Sequence, residues 1–227
     1  MKNRWINYII LLLLIPITIW LGTAMFDDRK YVFISFVIVI LTLIPFFLTF
    51  EKKDSSIRYM VIIAVMTALS VVGRFLFAAI PGFKPVTAIV ILTAVYFGAE
   101  AGFLVGALTA LISNIYFGHG PWTPFQMFSW GLIGFVAGLP FIRAMLRKNK
   151  LLLIVAGLFA GVFFSLLMDV WTVLSIDGIF NVKRYITAVG LSVPFMVTYA
   201  VSNVIFLLLT VKPIGEKLER IKKKYGI

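Results

Sequence analysis

The chain contains no cysteine and a single histidine, His119. Disulfides, thiolate metal sites and a cysteine nucleophile are thereby excluded, and a metal centre lacks the several ligands it needs. Charge is scarce as well: 13% of 227 residues are Asp, Glu, Lys or Arg, about half the share of a soluble domain. The sequence holds no G-x-x-x-x-G-K-[ST] phosphate loop, no H-E-x-x-H, no G-x-S-x-G and no paired carboxylates on one helix face with a partner base. Hydrolysis of ATP by a known loop is excluded, and neither enzyme chemistry nor a cofactor is expected.

What the chain has instead is apolar length. Apolar residues make up 62% of it and come in long blocks, several near the roughly 20 residues that cross a bilayer as a helix. The blocks are 6–26, 31–50, 59–77, 86–97, 101–116, 123–142, 151–173 and 186–211. This predicts an all-α polytopic membrane protein with about eight spanning helices. The fourth block has only 12 residues, about 18 Å of helix, so it is expected to be shielded by protein. The first block follows Lys2 and Arg4 in the manner of a signal peptide, but its length and the second block close behind it favour a retained helix.

Basic residues set an orientation. With the N-terminus inside, 15 of the 21 Lys and Arg fall on cytoplasmic segments and 6 on outer ones, which predicts a multi-pass plasma-membrane protein with both termini cytoplasmic. The formal net charge of +12 is then an insertion signal. Nucleic acid is not an expected partner, because the basic residues are scattered over short loops.

Texture divides the chain into three parts: two plain N-terminal helices (1–55) that read as lipid-facing additions, a core (56–212), and a basic tail (213–227) suited to anionic headgroups. In the core, small residues recur at four-residue spacing: Gly98, Gly102, Gly106 and Ala110, then Gly134 and Gly138, then Gly157 and Gly161. Such faces let helix backbones approach where no hydrophobic drive exists. Polar residues costly at membrane depth gather on the predicted outer side: Arg74, Lys84, Asn114, Tyr116, His119, Trp122, Thr123, Gln126, Asp169 and Trp171. Singly, an arginine can snorkel, a tryptophan can belong to the interfacial belt, and Asp169 can pair with an arginine. Together with the loop Ile80–Pro85 and the turn-rich segment Gly118–Gln126, which runs into a helix, they are expected to frame an outward-facing apolar pocket with a few placed polar groups.

The runs GRFLFAAIPGFKP (73–85) and SNIYFGHGPWTPFQMFSWG (113–131) resemble the substrate-binding S component of an energy-coupling factor (ECF) vitamin transporter, cobalamin-type, over about residues 57–211. The resemblance implies a six-helix core that captures a vitamin at the outer face and works with a transmembrane coupling protein and two ATPase subunits; the two extra N-terminal helices fall outside it. It implies a substrate site at Arg74, Phe83, Tyr116, Trp122, Gln126, Asp169 and Trp171, and a docking motif at Ala64 and Ala68. Cobalamin or a related corrinoid is the expected ligand, with riboflavin-like or queuosine-like compounds as alternatives. Two other classes stay open: a small intramembrane lipid enzyme using Asp169, Arg74 and His119, and a scaffold without ligand.

Overall fold

A computed structural model describes residues 2–26, 31–50, 56–177 and 180–225. These residues form helices with no strand among them. The first block is α1 (Lys2–Ile9), a π-helical turn (Ile10–Leu14) and α2 (Ile15–Phe26), and the second is α3 (Tyr31–Phe50). The core follows as α4 (Ser56–Leu76), α5 (Val86–Phe97), α6 (Ala99–Phe117), α7 (Trp122–Gly138), α8 (Pro140–Lys148), α9 (Lys150–Asp177) and α10 (Val182–Tyr225). Among the described residues, five helices are long and apolar enough to cross a membrane, or six if α7 and α8 count as one span bent by 76°. The bend has a covalent origin: Leu139 takes an extended ψ of 138° ahead of Pro140, which occupies the first turn of α8.

The bundle has two distinct ends. At one lie the 77–85 and 118–121 segments; at the other lie the Gly98 turn, α8 and the basic part of α10. They are called here the loop end and the basic end. Helix α5 runs between them over the 12 residues read from the sequence, and every one of these except Tyr96 is buried. Shielding by α4, α6, α7 and α10 removes any need for lipid-compatible length. At the basic end Gly98 turns the chain into α6 with φ of +103°, a left-handed conformation that costs glycine little.

Glycine faces set the packing of the core. A methyl group built on Gly106 would lie 2.5 Å from the Trp130 carbonyl carbon, and one on Gly102 would lie 2.7 Å from the Gly134 oxygen. The α6 and α7 backbones therefore touch. In the same way a methyl group on Gly161 would meet the Ala200 nitrogen at 2.5 Å, joining α9 to α10. These are the faces expected to be internal from their four-residue spacing.

Two features differ from the sequence reading. The N-terminal pair is lipid-facing on one side only. Leu11, Ile15, Ile34 and Ile38 enter the common core, Tyr8 meets Phe135 edge-on at 5.2 Å, and Asn7, 1% exposed, donates to Glu100 Oε1 at 3.2 Å. Its other face leaves Trp5, Trp20, Phe33 and Phe36 exposed. At the C-terminus, 213–225 is not a separate tail: α10 continues through Pro213 as one 44-residue helix. Its end packs under the bundle, with Gly215 and Leu218 buried, Lys222 Nζ donating to the Tyr96 carbonyl at 3.2 Å, and an Arg147–Glu219 ion pair.

Candidate functional site

The loop end carries a polar and aromatic box built from five helices and a loop. Arg74, in the last turn of α4, is 8% exposed. Its Nη1 donates to Asn114 Oδ1 at 2.8 Å and to Ser113 Oγ, both on α6. Asn114 then donates from Nδ2 to Thr123 Oγ1 and Gln126 Oε1, each at 2.8 Å, on α7. Asn114 is thus a hub: its amide oxygen takes the guanidinium, and both hydrogens of its amide nitrogen fix α7. The guanidinium plane lies 4.5 Å from the Phe117 ring and 5.2 Å from the Trp130 ring.

Lys84 completes the box from the 77–85 loop. Its backbone is clamped by one side chain, Ser202 of α10, which accepts from Lys84 N at 2.8 Å and donates to Lys84 O at 3.1 Å. Gly73 lets the loop lie against α4, since a methyl group there would run into Pro85 Cγ. The Lys84 ammonium sits 5.0 Å from the Tyr199 ring and 5.7 Å from the Trp130 ring. Trp130, 1% exposed, stacks on Phe164 of α9 at 5.0 Å and 12°, and Phe164 meets Tyr199 edge-on at 5.1 Å. Two cations therefore share the Trp130 ring and lie over three rings between them, within cation–π range. Burial, and secondarily the Arg74 charge, lowers the Lys84 amine from its ordinary range to about 7.

The expected site residues fall into three places. Arg74 and Gln126 belong to the box network. Trp122 and Trp171 meet edge-on at 5.8 Å nearer the mouth. The Trp171 indole N–H is buried without a hydrogen-bond partner, and Asp169 of the same helix accepts from Ser192 Oγ at 2.6 Å. Phe83 lies beside the box in a cluster with Phe77 and Phe206 at 5.7 and 5.0 Å. Tyr116 stands apart, 75% exposed on the outside of α6, against Phe75 and Phe117. Trp130, Phe164 and Tyr199 are absent from the sequence reading, and Lys84 and Asn114 appear in it only as polar residues of the outer side. The spacing of Trp122, Gln126 and Trp130 by four would have revealed the stripe on α7.

Arg74 and Asp169 have separate partners, and no group of three His, Asp or Glu side chains able to hold a metal gathers among the described residues. The fold defines an all-α polytopic membrane protein with a buried polar network at its loop end. The chain belongs to the family of the ECF-type riboflavin transporter S component, whose model matches residues 54–219. The match begins where the N-terminal pair ends. The chain is also 34% identical over 101 residues to a UPF0397 protein of Vibrio atlanticus, covering 42% of this chain and 53% of that protein. It is 31% identical over 121 residues to a UPF0397 protein of Aliivibrio fischeri, covering 48% and 66%. The chain thus spans about half to two thirds of the length of the curated relatives it matches. No solved structure matches it. The family is a transporter component and not an enzyme, which answers the lipid-enzyme alternative.

Proposed function

We propose that this chain is the substrate-binding subunit of an ECF importer and that it captures a flat heteroaromatic vitamin of flavin type in the Arg74–Lys84–Trp130 box. The observation that carries the reading is the box itself: a buried Trp130–Phe164 stack with two cations and the Asn114 amide at its edge. The buried rings make an apolar floor, and the cations supply donors for ring carbonyls. The family match moves the preferred ligand from the corrinoid of the sequence reading to a flavin-type ring.

In this reading the loop end is external, in keeping with the distribution of 15 and 6 basic residues. A separate transmembrane coupling protein and two ATPase subunits supply the energy that this chain, without a phosphate loop, does not. The coupling protein docks on α4, where Ala64 and Ala68 lie on an exposed stripe with Val61, Val65 and Leu69. Calorimetry and tryptophan quenching on detergent-purified protein, titrated with riboflavin and separately with cobalamin, test the ligand. Saturable riboflavin binding that is weakened at least tenfold in Trp130→Ala, about 1.4 kcal/mol, is the expected result. Cobalamin binding alone would restore the corrinoid, and silence with both ligands would overturn the vitamin assignment.

A further inference from the structure

The charge balance of the box is lopsided, and every acidic side chain among the described residues can be accounted for. Glu219 pairs with Arg147, and Asp177 pairs with Arg184. Asp169 is held by Ser192. Glu100 accepts from Asn7 at the basic end, and Glu216 lies on the basic-end stretch of α10. None reaches Arg74 or Lys84. Arg74 is bonded only to neutral acceptors, Asn114 and Ser113, and the Lys84 ammonium has ring faces as its neighbours. Two cations desolvated side by side without a carboxylate are costly, because each loses water and each repels the other. A fold keeps such a pair either by letting the lysine give up its proton or where something else brings a negative charge.

Resting on the reading above that this box is the ligand site, we infer that the ligand is an anion: a heteroaromatic compound carrying a carboxylate or phosphate that sits between Arg74 and Lys84. Arg74, held in plane by Asn114, presents a fixed fork. Lys84, with its backbone pinned by Ser202, swings its ammonium as a point charge onto the same group. The geometry thus specifies charge by two donors.

The test compares a matched pair, riboflavin and its monophosphate, on wild type, Lys84→Gln and Lys84→Arg, with tryptophan quenching as readout. Mass spectrometry of the small molecule released from protein purified without added ligand runs in parallel. The expected result is at least tenfold tighter binding of the monophosphate, a preference that collapses below threefold in Lys84→Gln and persists in Lys84→Arg, and a released ligand that is an anion at neutral pH. Riboflavin binding as tightly as its monophosphate, or a preference surviving in Lys84→Gln, would overturn the inference and leave the flavin reading standing. If neither flavin binds, the flavin reading fails, and the released ligand decides: an anion upholds the charge requirement, and a neutral compound ends it.

Discussion

At the scale of single residues, Lys84 carries the most testable chemistry. Its amine titrates near 7 in the folded protein against 10.5 for an ordinary lysine. Between those values the unfolded chain holds the extra proton, so stability rises with pH across that window. The charged groups facing it are Arg74 from α4 and, as a neutral phenol, Tyr199 from α10; α7 contributes only Trp130. Thermal unfolding of the ligand-free protein should therefore move to higher temperature from pH 7 to pH 9.5, and Lys84→Gln should flatten that rise. A flat wild-type profile would mean that Lys84 is solvated. Anion binding runs the other way, weakening as pH climbs past 7, because the charged amine is the form that binds.

The elements show two kinds of small-residue face with opposite consequences. Gly106 leaves no room against the Trp130 backbone, and backbone cannot step aside. Gly106→Leu should cost at least about 1 to 3 kcal/mol, seen as a lowered melting temperature in detergent. Ala64 and Ala68 face outward from α4, so Leu at both should leave the melting temperature nearly unchanged while abolishing uptake in cells carrying the complete importer. Normal uptake would remove α4 as the docking face. Most elements were legible in the sequence because apolar block length is their direct cause, and α5 falls on the residues read for it. The box was legible only in part. Lys84 meets rings that stand 46 and 115 positions further along the chain, and a tryptophan in an apolar run reads the same whether it faces lipid or a ligand. Tyr116 shows the cost of reading neighbours as equivalent: two residues beyond Asn114 is about 200° around a helix, so when Asn114 faces the box Tyr116 faces away. The docking of the N-terminal pair was hidden because Asn7 and Glu100 give no sequence sign that they meet.

For the whole molecule, orientation is the property from which the others take their meaning. Single cysteines can be introduced one at a time into a chain that has none. A membrane-impermeant thiol reagent applied to intact cells should label position 119 and spare position 148. The reverse pattern would place the box on the cytoplasmic side and turn the importer reading around.

One dimension of the fold has a further consequence. Helix α5 is about 18 Å long against a hydrocarbon core of about 30 Å, and its far end turns at Gly98 beside Arg143 at the basic end. Lys84, two residues before α5 begins, is thus sunk roughly 12 Å below the opposite rim with Gly98 at the basic-end boundary. Mobile ions do not follow a ligand to that depth as they crowd a surface patch, and buried charge pairs are only weakly screened. An anion seated there should be held almost as firmly in 1 M salt as in 0.1 M, with a change in Kd below threefold, whereas a site in the headgroup layer would release it steadily as the salt rises.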